Sequence, residues 1–545
     1  MSGHPAEVDF IIVGAGSAGC VLAHRLSEGG RHSVLLLEAG GSDLSPWIRV
    51  PIGYGKTFTD ERFNWKYFAE PDPGLAGRLA FWPRGKVLGG SSSINAMLYV
   101  RGHPGDFDDW EALGNTGWGH RDVLPYFLKL EDYAGASSPE RGRGGPVRVS
   151  AFTHEVHPTC ELFLAACDRL GWPRNPDFNA GSPEGSGTWQ MTIRDGWRES
   201  TATAYLRPAL RRRNLTLLTR ALVTRVCFDG ARATGIEFLR GGQPQRVRAR
   251  REVILSAGAV NTPPLLQRSG VGDAALLRSL GIEVRLHAPR VGEGMQDHVG
   301  ISYLYRSRVP TLNDEFYPLM GKIRAALRYA LRRDGVFAMS VNHAGAFVRT
   351  RAELARPNMQ VYFNPLSYAA ATGLERKLMQ PDPFPGYLLG YNSCRPTSRG
   401  SVALRSVDPM DPPVIRPNSL STEFDVEEAY EGAALMRRIA ATAPLADIML
   451  AEIKPGPDLQ SRDELIDDFR QRAGSVYHPC STCAMGVDPA RSVVDPRLRI
   501  HGLAGLRVVD ASVFPTVTSG NINAPVIMVA EKAADLIRED AITTG

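Results

Sequence analysis

Near its C-terminus the chain sets one histidine beside two cysteines, in Tyr477-His478-Pro479-Cys480-Ser481-Thr482-Cys483-Ala484-Met485-Gly486. These residue types admit three chemistries. The His-x-Cys-x-x-Cys spacing suits zinc, but such a site needs a fourth ligand, or three ligands and water. No neighbour supplies one, so no metal is expected. A Cys-x-x-Cys pair could act as a redox dithiol, and nothing else in the sequence supports that role. The third chemistry is proton transfer, because imidazole titrates near neutral pH. Against it stands the ordinary role of a hydrogen-bonded loop histidine. Further on, Ser519-Gly520-Asn521-Ile522-Asn523-Ala524-Pro525 precedes the apolar run Val526 to Ala530. Asn523 suits an N-cap and Pro525 an early helical position. The helix start predicted here would face a bound anionic group with unpaired N–H groups and the positive dipole end.

Such groups need a scaffold, and the first 40 residues describe one. Val8 to Val13 is β-branched and apolar, as in a parallel strand buried on both faces. Gly14-Ala15-Gly16-Ser17-Ala18-Gly19 follows, then the helical Cys20 to Leu26, then a second strand, Ser33 to Leu37, ending at Glu38. Strand, G-x-G-x-x-G, helix, strand and acid together form a dinucleotide fingerprint. Gly14 permits the turn, Gly16 the approach of the pyrophosphate, and Gly19 close helix packing. The helix N-terminus faces the phosphates, and Glu38 accepts from the ribose hydroxyls. This fingerprint does not separate FAD from NAD.

Two more glycine-rich stretches follow. Gly85-Lys86-Val87-Leu88-Gly89-Gly90-Ser91-Ser92-Ser93-Ile94-Asn95-Ala96 offers many backbone N–H groups to an anionic or planar ligand. Gly258 to Gly272 follows the apolar strand Glu252 to Ser256. Along their length both stretches resemble the signatures of the glucose–methanol–choline (GMC) flavoprotein oxidoreductases. The resemblance runs from about Val8 to Ile537 and leans toward the choline-dehydrogenase-like and alcohol-dehydrogenase-like bacterial members.

The resemblance implies FAD, and oxidation of an alcohol by hydride transfer to flavin N5. It implies that His478 is the base and Asn523 the residue orienting the substrate oxygen. It implies FAD contacts at Gly14, Ala15, Gly16, Ser17, Gly19, Glu38, Ala39, Gly89, Gly90, Ser91, Asn95, Ala96, Val223, Asp510, Ala511, Asn521, Ala524 and Pro525. Where some members attach FAD to a histidine, this chain has Ile94. Carbon cannot form that bond, so FAD is expected to be non-covalent. Trp65, His343, Phe363, Tyr391 and Tyr477 are expected around the substrate. A primary alcohol passing electrons to a quinone or dye is the expected reaction. The alternatives are O2 as acceptor, or a non-redox flavin enzyme on the same scaffold. Cys480, and Gly294-Met295 in the stretch Gly292 to His298, depart from the family pattern.

The fold class implied is α/β, with a discontinuous Rossmann-like FAD domain (1–155, 214–300 and 474–545). An antiparallel sheet with helices (156–213 and 301–473) forms the substrate side. Composition agrees with a folded enzyme. Of 545 residues, 43% are apolar and 22% charged, with a net charge of +5. The basic side is nearly all arginine, with eight lysines, and shows no stripe or reader motif for nucleic acid. Seven dispersed cysteines argue against a disulfide framework. No positively charged leader and no membrane-length apolar run is seen. A cytoplasmic protein is expected, peripheral to a membrane at most. Oligomeric state is not legible.

Overall fold

Val8 and Phe10 to Val13 are all buried in β1 (Glu7–Val13), and every residue of β2 (Val34–Glu38) is buried. Strands this apolar on both faces need cover on both sides. The structure, a computed structural model, describes residues 4–152, 155–370 and 376–543. Its first sheet adds β3 (Leu215–Thr219), β4 (Ala221–Asp229), β5 (Arg232–Arg240) and β6 (Gln243–Leu255). The order is β3-β2-β1-β6-β5-β4. β3, β2, β1 and β6 run parallel, and β5 and β4 continue as an antiparallel meander. Leu506–Val508 pairs parallel with β6, so the end of the chain returns to the sheet that its beginning starts.

The cover is helical. α1 (Ser17–Leu26) buries seven of its ten residues and packs on the C-terminal helix, Asn523–Thr543. A buried carboxylate ties the two. Glu531, wholly buried, accepts from Arg25 at 2.8 Å and from the Tyr205 hydroxyl at 2.8 Å, and Lys129 lies 3.3 Å away. Tyr205 belongs to the stretch Ala202–Ala209, whose buried residues join the first core. That stretch was expected on the substrate side. It sits on α1 because its apolar residues and the Tyr205 hydroxyl find their partners there.

The second sheet is antiparallel. β7 (Val299–Ser307), β8 (Ala344–Val348), β9 (Met359–Asn364), β10 (Gly386–Ser393) and β11 (Met449–Lys454) order as β11-β7-β10-β9-β8, and Gly185–Thr188 forms the edge. Its core holds Tyr303, Tyr305, Phe363, Tyr387 and Tyr391. Gly474–Ser475 pairs with the start of β7, so the segment that leads to His478 leaves from this sheet. α3 (Glu423–Ala440) packs on this sheet, whereas α2 (Leu319–Arg332) packs on Leu312–Phe316 and Val336–Ala338. Among the described residues no helix is long and apolar enough to cross a membrane.

Removing one partner of a buried ion pair strands the other charge. Glu531→Ala is therefore expected to destabilise the first domain by about 3–5 kcal/mol. Thermal unfolding of the purified protein should show a clearly lower midpoint; an unchanged midpoint would contradict the role given to Glu531.

Candidate active site

Both sheets line one cavity of about 1160 Å³, which Val13, Leu37, Val223, Ile301, Tyr362 and Leu388 all reach. That exceeds the roughly 300–1,000 Å³ of an ordinary small-molecule site and leaves room for a dinucleotide and a small substrate.

Close backbone contacts build the nucleotide end. A side chain at Gly19 would meet the carbonyl oxygen of Gly14 at 1.8 Å. Gly90, at φ +53°, lies so near that its Cβ would meet Gly16 Cα at 2.7 Å. At Gly16 itself nothing lies closer than 4.0 Å to such a position, so its cavity side stays open. Glu38 accepts from the N–H groups of Ala15 (2.9 Å) and Gly40 (2.8 Å), and burial pushes its carboxyl up to about 7. Ser256 Oγ is buried in the wall with no partner among the described residues. An open glycine floor, an acid at the end of β2 and an unpartnered wall hydroxyl fit a dinucleotide.

The other end is organised by two histidines. His298 is fully buried. Its Nε2 lies 3.0 Å from the Cys394 carbonyl oxygen, and its Nδ1 lies 3.0 Å from Nδ1 of His478. A carbonyl only accepts, so His298 Nε2 carries the hydrogen. Burial holds His298 down to about 4, and the neutral ring therefore has a bare Nδ1. The hydrogen between the rings then belongs to His478 Nδ1. His478 Nε2 is left as an acceptor and takes the Asn521 amide N–H at 3.1 Å. The His478 backbone is fixed as well: its N–H donates to Asp297 at 2.7 Å, and Ser475 Oγ donates to the same carboxylate. Burial pushes Asp297 up to about 6, against the pull of Ser475 and half-buried Arg84. Tyr477 (φ 72°) and Ser481 (φ 69°) hold left-handed backbone on either side, a conformation concentrated at functional sites.

Several site expectations need correction. The asparagine facing His478 is Asn521, not Asn523. Asn523 accepts from Ser17 Oγ at 2.7 Å and so joins the C-terminal helix to the nucleotide loop. The helix already begins at Asn523, and residue 521, two positions earlier, points across to the histidine. His343 and Phe363 do not line the cavity: His343 Nδ1 accepts from the His157 N–H at 3.1 Å, and Phe363 stacks on Phe163 in the second core. Tyr391 reaches the wall, but its hydroxyl donates to the Ala429 carbonyl. Trp65, stacked on Tyr67 with Lys86 over its ring, and Tyr477 do line it.

Of the expected cofactor residues, Gly14, Gly16, Ser17, Glu38, Ala39, Gly90, Ser91, Asn95, Ala96, Val223, Asp510, Ala511 and Asn521 line the cavity. Ala15, Gly19, Gly89, Ala524 and Pro525 do not. Ala15 and Gly89 bond to each other through the Gly89 N–H at 2.8 Å, and Gly19 is spent on helix packing. Ile94 lies in the wall, and Gly294 has φ 81°. Cys480 and Cys483 are buried in the first core, and burial raises both thiols, Cys480 to about 12. They pack as small apolar residues. The residues missed in sequence are His298 and Asp297, which stand in the Gly292 to His298 stretch. An Asp-His pair inside a stretch already singled out, in a chain with twelve histidines, was the available signal.

Gly90→Val should push the Gly16 loop aside. The purified variant is expected to lose most of its bound dinucleotide, read from its absorbance against protein. Full cofactor content would refute this role for the glycine contact.

The family model described as GMC oxidoreductase matches residues 8–300, and its C-terminal counterpart matches residues 396–530. The mitochondrial choline dehydrogenase of Homo sapiens is 44% identical over 98% of this chain and 90% of its own length. An oxygen-dependent choline dehydrogenase of Rhizobium etli is 43% identical over 97% and 95%. Among solved structures, pyridoxine 4-oxidase superposes with a TM-score of 0.86 at 33% identity, covering 97% of this chain and 98% of that one. Formate oxidase of Aspergillus oryzae superposes with a TM-score of 0.92 at 27% identity, covering 99% of each. With its nucleotide floor and antiparallel second sheet, the chain belongs to the GMC oxidoreductase family, whose members bind FAD and oxidise CH–OH donors.

Proposed function

We propose that this protein oxidises a primary alcohol to the aldehyde, with His478 as general base and Asn521 holding the substrate oxygen. The observation carrying this reading is the hydrogen-bond chain Cys394 carbonyl–His298–His478–Asn521. The FAD that the glycine floor would hold, non-covalently beside Ile94, supplies the hydride acceptor. The rest falls to the chain's own groups. When substrate enters, the Asn521 amide N–H passes from His478 Nε2 to the substrate oxygen, and the Nε2 lone pair so released takes the hydroxyl proton as the C–H bond breaks. The resulting positive charge spreads to Nδ1–H, where His298 already accepts. His298 is thus a positioning residue: it selects the tautomer in which His478 Nε2 is the proton acceptor.

Electrons are proposed to pass to a quinone, with O2 as the alternative. The dehydrogenase names of the two curated relatives favour the first, and the words "oxygen-dependent" in one of them keep the second open. A cationic alcohol is favoured by one feature. Among the described residues Asp382 Oδ2 is buried without a hydrogen-bond partner, and Asp382 shares the cavity wall with Tyr362, Tyr368 and Phe384. A carboxylate among aromatic faces suits a quaternary ammonium, and both curated relatives are named for choline.

His478→Ala should keep FAD and slow flavin reduction by roughly 10²–10⁴-fold, measured anaerobically by stopped flow; unchanged reduction would remove His478 from the mechanism. His298→Phe should lower the plateau of kcat/KM roughly tenfold or more. Its rising limb should also move to lower pH, because the His478 cation loses the acceptor that stabilised it. His298→Asn, which keeps an acceptor, should recover part of both. A lower plateau with an unmoved limb would reduce His298 to a packing residue. In a panel run with O2 and with a quinone, Asp382→Asn should raise KM for choline about tenfold or more and leave neutral alcohols unchanged. Equal effects on both would reject the cationic substrate.

A further inference from the structure

α2 is amphipathic with its apolar face turned outward. Of its fourteen residues, Leu319 to Arg332, only Tyr329 is buried, and the Tyr329 hydroxyl donates to the Gly196 carbonyl at 2.8 Å. Leu319, Ile323, Leu327 and Leu331 recur every fourth residue and form one row along the helix. They are 73%, 41%, 57% and 83% exposed, and Met320 is 58% exposed. A soluble protein ordinarily turns such a row toward its core. Here the opposite side rests on the protein, where the ring of Tyr329 meets those of Trp197 and Phe337.

The flanks of the row are basic. Between Leu319 and Arg333 the sequence holds Lys322, Arg324, Arg328, Arg332 and Arg333 and no acid. Arg324, Arg328 and Arg332 form the neighbouring fourfold row. Arg328 pairs with Asp334 at 2.7 Å, and Arg333 lies over the ring of Trp197 at 4.4 Å. Lys322, Arg324 and Arg332 have no ion-pair partner among the described residues. The nearby acids are Asp314, Glu315 and Asp334.

From this arrangement we propose that α2 docks the enzyme on the surface of an anionic lipid bilayer, lying in the interface plane with its leucine row inserted. An exposed apolar row edged by cations has the chemistry of an interfacial helix. At about 21 Å the helix is too short to cross a bilayer but long enough to lie along one. Charge argues against a second copy as the occupant, since a twofold contact would set the same basic rows against each other. Two more exposed apolar residues lie near this side. Leu44 (71%) and Trp47 (45%) sit at the short helix Pro46–Arg49, whose Arg49 covers the same Trp197 ring. Above the core, α2 adjoins Phe316 and Phe337 of the cluster whose Tyr54, Met97, Leu98 and Val341 line the cavity. Docking would therefore place that wall next to the membrane.

The test is co-sedimentation of the holoenzyme with vesicles of phosphatidylcholine, with and without phosphatidylglycerol, at low and high salt. The expected result is binding to the anionic vesicles that high salt weakens, and little binding to the neutral ones. A Leu327→Asp/Leu331→Asp variant and an Arg324→Glu/Arg332→Glu variant should each bind about tenfold less or weaker still. Flavin content and turnover in solution should stay unchanged in both, which certifies their folding independently of lipid. No sedimentation by the wild type, equal binding to neutral vesicles, or full binding by either variant would overturn the proposal. So would size-exclusion chromatography showing a dimer that the leucine variant splits, with no lipid binding by the wild type.

Discussion

The constraint on which the structure depends is the near-contact of bare backbone at the nucleotide floor. A Cβ at Gly90 would meet Gly16 Cα at 2.7 Å, one at Gly19 the Gly14 carbonyl oxygen at 1.8 Å, and one at Gly14 the Ser256 carbonyl oxygen at 2.5 Å. Because they meet, α1 begins directly over the end of β1, and the loop carrying Ser91 and Asn95 folds beside it. Because α1 sits there, the C-terminal helix can pack on it through Glu531 and bring Asn521 and Asn523 to the cavity. The two asparagines then divide the work. Asn523 closes onto Ser17 at the nucleotide end, and Asn521 reaches His478 at the reaction end.

The reaction end follows a second logic, that of hydrogen-bond direction. A carbonyl that can only accept sets the tautomer of His298, and His298 sets that of His478. Burial enforces the sequence, since a charged His298 would have to be desolvated. The segment bearing His478 leaves the antiparallel sheet, while Asn521 arrives with the C-terminal helix of the first domain. The proposed chemistry thus lies where the segment from the antiparallel sheet meets the C-terminal helix, and it needs both to be folded.

The outward apolar row of α2 obeys neither logic. It belongs to the substrate-side domain yet contributes one buried side chain to it. Its exposed area is understandable only against a surface outside the molecule, which is why charge and length decided its proposed partner.

Read alone, the sequence determined a good deal. Local spacing was enough for the dinucleotide fingerprint, because strand, turn and helix there are contiguous and each glycine has a local steric reason. The family resemblance carried FAD, the alcohol chemistry and His478. Tertiary structure decided the rest. Asn521 and Asn523 are two residues apart and chemically identical, and only the path of the helix start shows which one faces His478. His343 and Phe363 are as polar or aromatic as true wall residues, but strand alternation turns Phe363 into the second core, and His343, just before β8, is held by the His157 N–H. His298 lies 180 residues from His478, and no local pattern can announce a hydrogen bond formed across that separation. Spacing along the chain records what neighbours do to each other; tautomers, cavities and the outward turn of α2 arise from contacts between distant segments, which exist only after folding.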